Sequence, residues 1–315
     1  MSGRRVSERR HALLPYLALA ALALIWGVSF LLIKVAVHDM SPVVLLLFRS
    51  ASGFVVLAVI VRAMGRPLLS EGWTHRLGSF AIMAITNALV PWIAIAWGEE
   101  RISSGLASIL NSTTTLWTAV IIFWAMPGER PTRVGYLGVL LGFAGVVILV
   151  LPDILAHGVS GNLLGAMAVL VAALSYAANA IYQRRKMRSV SVFDVSIGQL
   201  AATVIFAIPL ALPSLPHVHV AVSSMAAVIA LGAGATGIAY LLYYYVMNAL
   251  GAVRAAGVTL LVPITAVFWG VVLLHESLSW AIIIGMAVIL AGTVLTNVGR
   301  RLSREPSVTR DTAAA

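Results

Sequence analysis

The chain has 315 residues, 61% of them hydrophobic and only 10% charged, with no cysteine. A soluble domain carries about 25% charged residues, so an ordinary soluble globular protein is excluded, and so are disulfides and thiolate metal sites. The net charge of +10 does not point to nucleic acid, because Lys and Arg lie in short loops and tails between apolar segments.

A bilayer core about 30 Å thick takes about 20 apolar residues per helix. Ten such segments follow in order, at about 14–37, 42–62, 77–97, 104–126, 134–151, 162–183, 192–212, 222–246, 253–274 and 278–298. Helix breakers separate them: Ser41-Pro42, Gly65-Arg66-Pro67, Pro127-Gly128, Pro152-Asp153, Pro213 to Pro216, and Gly251. Transmembrane strands would be half as long and would alternate. The opening "RRVSERRH" resembles the start of a secretory signal, but the apolar run after it is too long and reads as a first helix that stays. The fold class expected is therefore an all-α polytopic membrane protein.

If the N-terminus is cytoplasmic, every Lys and Arg except Lys34, Arg49 and Arg101 falls in the tails or on cytoplasmic loops. The positive-inside rule then puts both termini in the cytoplasm of a cell with a plasma (inner) membrane. Residues 128–150, "GERPTRVGYLGVLLGFAGVVILV", lie over residues 275–297, "HESLSWAIIIGMAVILAGTVLTN". Glu129 falls on Glu276, Gly138 on Gly285 and Gly145 on Gly292, at a constant offset of 147. More weakly, "IWGVSFLLIK" lies over "SYAANAIYQR". Five spans per copy make the second copy enter from the other side, so residues 1–153 and 161–299 form an inverted repeat, followed by a basic cytoplasmic tail at 300–315. Such repeats place a substrate site between the halves at mid-membrane.

Polar and aromatic residues form stripes on several spans. The first span carries Trp26 and Ser29, and the third Asn87, Pro91 and Trp92. The fourth carries Asn111 and Thr114 or Thr115, inside "ILNSTTTLW", and Thr118 directly after it. The sixth has Ser175, Tyr176 and Asn179, the eighth Thr236, Tyr240 and Tyr244, and the ninth Thr259 and Pro263. Any one hydroxyl can bond back to its own helix, and any one Asn can tie two helices together. Stripes on so many spans at similar depth instead imply a shared wet or substrate-filled interior. Pro91 and Pro263 read either as sites of freed carbonyls or as tolerated kinks. Spans five and ten are aliphatic with spaced glycines, which suits close packing.

The carboxylates, including Glu99, Glu129 and Glu276, fall near span ends, so no deep proton-carrying acid is expected. Lys34 is close enough to its end to snorkel. Arg49 is about eight residues into its span, roughly 12 Å, and is expected to face protein or water and be paired. No nucleotide-binding, HExxH or GxSxG signature occurs. The expectations are thus no catalytic residues, no metal and no cofactor.

The quoted pieces, with "FRSASG" and "LVPITAVFWGVVLLHESLSW", resemble the EamA-type transporters of the drug/metabolite transporter superfamily over nearly the whole chain. The resemblance implies ten helices in two inverted five-helix repeats, cytoplasmic termini, and export of amino acids or related small metabolites. It also implies a central cavity lined by spans one, three, four, six, eight and nine. One departure is that Leu116 stands where the second half has Pro263. Glu129 and Glu276 match the family's repeated acidic position and read as helix-end anchors, with Arg49 grouped beside them as structural. The expected function is a secondary transporter or facilitator for a small-molecule substrate in a lipid bilayer, with no nucleic-acid partner. The rivals are a passive pore, a membrane-embedded enzyme and a drug- or nucleoside-type exporter. A strongly charged substrate is disfavoured, because no charged partner was expected in the cavity.

Overall fold

A computed structural model describes residues 2–217, 220–251, 255 and 257–302. The described residues form helices, turns and loops, with no strand among them. Among the described residues nine helices are long and apolar enough to cross a membrane: α1 Ser2–Ala36, whose apolar part is Leu13–Ala36, α2 Pro42–Ala63, α3 Trp73–Glu99, α4 Ser104–Ala125, α5 Arg133–His157, α6 Gly161–Lys186, α7 Val192–Ala211, α8 Val222–Leu250 and α10 Trp280–Leu302. Between the last two lies α9 Val258–Leu274, whose 17 residues extend about 25 Å at 1.5 Å per residue. Leu140, Val59, Ile205 and Phe268 are more than half exposed on the outside of the bundle. That surface is unfavourable in water at about 25 cal/mol per Å² and suits lipid.

Several expected boundaries move. The ninth span, expected from 253, includes residues 253, 254 and 256, which lie outside the described residues, as does the tail from 303 onward with Arg304 and Arg310. Pro152 does not end the fifth helix, which runs on to His157. A proline removes one backbone bond to the turn before it, a defect the last turns of a long helix absorb. The helix stops at Gly158, whose φ of 65° is open to glycine and strained for other residues.

Three expected spans are not uniform α-helices. α3 contains a π-helical turn at Ile85–Leu89, directly before Pro91. Pro91 has no N–H to give and its ring crowds the preceding turn, and a widened turn relieves both. α8 contains a longer π-helical stretch at Leu231–Ile238. There Gly232 lets α8 approach α2 so closely that a Cβ on it would stand 2.4 Å from the carbonyl oxygen of Arg49. α4 is divided into Ser104–Asn111 and Thr114–Ala125.

The helices pack in an ordered set of pairs. α1 lies against α9 and α8, α6 against α4 and α3, α2 against α7 and α8, α7 against α3, and α5 against α10. The glycines of α5 and α10 meet within the chain. A Cβ at Gly138 would come within 2.6 Å of the Gly292 oxygen, and one at Gly145 within 3.0 Å of the Gly285 oxygen. Small residues let the two backbones touch, which is how helices gain contact in a solvent no more polar than their own side chains.

Candidate functional site

The hydroxyl-rich stretch of α4 explains its own break. Ser112 Oγ donates to the Ile109 oxygen at 2.7 Å, Thr113 Oγ1 to the Leu110 oxygen at 2.6 Å, and Thr114 Oγ1 to the Asn111 oxygen at 2.7 Å. One turn on, Thr118 Oγ1 donates to the Thr114 oxygen at 2.7 Å. Side chains that bond nearby carbonyls compete with the helical ladder, and here the turn tightens, with the Ser112 N–H reaching the Ile109 oxygen and the Thr113 N–H the Leu110 oxygen, both at 3.1 Å. Thr114 is therefore occupied by its own helix. Thr115 is half-buried, and the buried amide oxygen of Asn111 has no hydrogen-bond partner. Ser29 likewise bonds back, to the Ile25 oxygen at 3.0 Å.

Other stripe residues meet across helices. Asn87, inside the π-helical turn of α3, donates to Gln199 of α7 at 3.0 Å, and Thr86 Oγ1 lies 3.3 Å from Asn179 Oδ1 of α6. Ser175 Oγ donates to the Thr86 carbonyl at 2.8 Å. On the other side, Trp26 Nε1 of α1 donates to the Ala235 carbonyl, inside the π-helical stretch of α8, at 3.2 Å. Each π-helical segment thus has a backbone oxygen held by a side chain from a neighbouring helix.

Between these lies a cluster of rings around one cation. The Arg49 guanidinium of α2 stands 3.9 Å over the ring of Trp92 of α3, and Tyr176 of α6 and Tyr240 of α8 act on it electrostatically. Trp92 is buried, with Tyr176, Tyr240 and Tyr244 packed against the same apolar group. The cluster continues through Tyr244 to Phe193, ring centroids 5.4 Å apart, and Arg66 lies 5.2 Å over Phe193.

Arg49, grouped in the sequence with the structural residues and expected to be paired, sits inside α2 and away from its ends. It is 9% exposed, its Nε is buried without an acceptor, and no carboxylate forms an ion pair with it among the described residues. The expected partner is missing because the elements around it present rings, not acids. Pro91 is buried beside Trp92, Pro263 is buried within α9, and Thr259 lies on an exposed face near the start of α9.

Both ends of the bundle carry polar ties. Glu276, between α9 and α10, accepts from the backbone N–H of Ser104 at 2.7 Å and of Gly105 at 3.1 Å, capping α4. Lys34 Nζ donates to the carbonyls of Glu99 and, at 2.9 Å, Ile102. Its head group thus ends on protein oxygens and not in water. Asp39 accepts from Ser224 Oγ at 2.6 Å and from the Ala221 N–H at 3.3 Å. Ser224 first, then His38, whose ring nitrogen lies 2.6 Å away, and then the Ala221 N–H hold its carboxyl below the ordinary value of 3.8. At the other end Glu129 pairs with Arg184, and Ser70 Oγ donates to Asp194 at 2.6 Å.

Glu99 is the residue that sequence reasoning missed. It is fully buried, and neither carboxyl oxygen has a hydrogen-bond partner. Its place at a helix end beside Glu100, which pairs with Arg101 at 2.8 Å, looked solvated, and nothing in "GEER" separates the two acids. Gln199 was missed as well, because its partner Asn87 is 112 residues away.

The EamA-like transporter family matches residues 13–151 and 163–298. A Bacillus subtilis protein named "Uncharacterized transporter YoaV" is 26% identical over 88% of this chain and 94% of its own. The Escherichia coli K12 "Uncharacterized inner membrane transporter YedA" is 28% identical over 93% and 94%. A Salmonella typhimurium relative, 26% identical over 90% and 95%, is named "Probable amino-acid metabolite efflux pump". A crystal structure covering 91% of this chain and 98% of its own shares the fold, with a TM-score of 0.64 at 22% identity.

Proposed function

The chain belongs to the EamA-like transporter family, and from that premise we propose that it is a secondary transporter or facilitator exporting amino acids or related small polar metabolites by alternating access. The observation that carries this reading is the convergence of Arg49, Trp92, Tyr176 and Tyr240 from four helices on one buried place. Rings give apolar walls with polar edges, and a few polar groups fix orientation. The name of the Salmonella relative favours amino-acid-like cargo over drugs or nucleosides.

Alternating access needs two halves that exchange which end is closed. The helix pairs are consistent with an inverted five-plus-five repeat. Adding five to each helix number turns α1–α9 into α6–α4, α3–α6 into α8–α1, and α2–α8 into α7–α3, all of them present, while α2–α7 and α5–α10 map onto themselves. The π-helical turn at Ile85–Leu89, advanced by the offset of 147, falls inside Leu231–Ile238. With the positive-inside count, this reading sets both termini in the cytoplasm, the Glu276 and Lys34 ties at the outer end, and the Glu129 and Asp194 ties at the inner end.

Counterflow in proteoliposomes tests it. Vesicles containing the full chain and loaded with an unlabelled amino acid mixture are expected to accumulate labelled amino acid transiently and saturably. A non-saturating leak would mean a pore, and no flux of any amino acid would overturn the reading.

A further inference from the structure

Arg49 poses a charge problem that its surroundings do not solve. Arginine stays protonated in proteins, and an ion taken out of water without a partner costs several kcal/mol. Trp92 covers one face of the guanidinium at 3.9 Å, an attraction that offsets part of that cost but supplies no hydrogen-bond acceptor. The titratable groups acting on it are the Tyr176 and Tyr240 hydroxyls, which bring no full charge, and Glu99. Glu99 is seven residues beyond Trp92 on α3, about 10 Å along the axis, and its oxygens are bonded to nothing. Lys34 and Glu276 are the other charged groups that act on Glu99. The base of the side chain is meanwhile fixed, because Gly232 of α8 and Ser52 crowd the Arg49 carbonyl.

A rigidly based, nearly buried guanidinium with rings beside it and no counter-ion is built like a receptor. Arginine is the side chain whose planar fork matches a carboxylate through two parallel hydrogen bonds. We propose that Arg49 binds the carboxylate of the transported molecule, so that the cargo class is small carboxylic acids, amino acids among them, with the remainder of the molecule lying against Tyr176 and Tyr240. This rests on the transporter reading, and it reverses the expectation that charged cargo is disfavoured.

The test compares each of the twenty amino acids with its own α-amide, which keeps size and side chain but loses the carboxylate. The full chain in detergent is melted with each compound at 10 mM, and the two members of each pair then compete in counterflow. At least one acid is expected to raise the melting temperature and to compete at least tenfold better than its amide. In Arg49→Gln that preference is expected to fall to within about twofold, and Arg49→Lys, which keeps charge without the fork, to retain part of it. The ratio, unlike total activity, is not moved by a loss of folding that affects both compounds equally. Equal treatment of acids and amides by the unmodified protein overturns the assignment, as does an Arg49→Gln variant with the ratio intact. If Arg49→Gln yields no folded protein, the Arg49→Lys ratio decides in the same way. Stabilisation by acids over amides without any counterflow would leave the Arg49 site standing and remove the transport reading.

Discussion

In the inverted repeat proposed above α4 corresponds to α9, yet the two meet a helix-disturbing stretch with different chemistry. α9 contains a buried proline, Pro263, and is continuous from Val258 to Leu274. α4 has Leu116 in that place and is the one that breaks, at Ser112 and Thr113. A proline removes one donor, and α9 stays helical around it while it is tied to α1 one turn on. Thr265 donates to the Ala23 carbonyl of α1 at 2.9 Å as well as to Leu261 and Val262 of its own helix. Hydroxyls act on the acceptors instead, and those of Ser112 and Thr113 share carbonyls with backbone N–H groups that reach one residue nearer than in an α-helix.

The comparison can be broken most severely at α1. A Cβ on Gly27 would stand 2.1 Å from Thr265 Oγ1 and 3.0 Å from the Ala266 nitrogen. Gly27→Val is therefore expected to destabilise by more than about 3 kcal/mol, seen as loss of the monodisperse peak in size-exclusion chromatography of the detergent extract. Next is the cap of α4, whose first segment is only eight residues long. Glu276→Ala leaves two N–H groups without their acceptor and is expected to cost about 2 kcal/mol, read as a lower melting temperature, with Glu276→Gln recovering part of it. Smaller still, replacing Ser112, Thr113 and Thr114 together by Ala, Val and Val leaves those carbonyls to the backbone N–H groups. The melting temperature is expected to stay within the equivalent of about 1 kcal/mol, while counterflow slows as the break closes.

The smallest effect lies at Asp39. Because its carboxyl is held below 3.8 in the folded chain, the tie to Ser224 and Ala221 is complete above that value. It is lost only as pH falls through the lowered one. With His38, whose ring nitrogen lies 2.6 Å from the Asp39 carboxylate, replaced by Gln in both proteins, the melting temperatures with and without Asp39→Asn should therefore differ by a constant amount between pH 5 and 8. A difference that changes over that range would remove the tie as its source.

The helices were readable because lipid leaves a segment little choice: about 20 apolar residues must pair their own backbone. The glycine seam of α5 and α10 was readable for a related reason, since spaced glycines mark close approach. Trp92, Tyr176 and Tyr240 could be picked from their stripes. What Arg49 faces could not, because depth along a span says nothing about the neighbours on other helices. The π-helical turns were equally hidden. One depends on how the backbone around Pro91 is relieved and the other on how near Gly232 comes to α2, and both are decided by packing. Glu99 looked solvated because an acid at a helix end usually is.

The widened turn at Ile85–Leu89 has a mechanical corollary. A π-turn stores one surplus residue, and expelling that residue would rotate everything downstream by about 100° and shift it by about 1.5 Å. Trp92 and Glu99 sit on that downstream arm, so a single slip of register would swing the ring away from the Arg49 cation and carry the unbonded acid to a new bearing. The helix would then behave as a latch with two clicks, moved by the gain or loss of one hydrogen bond and not by any general softness of the bundle.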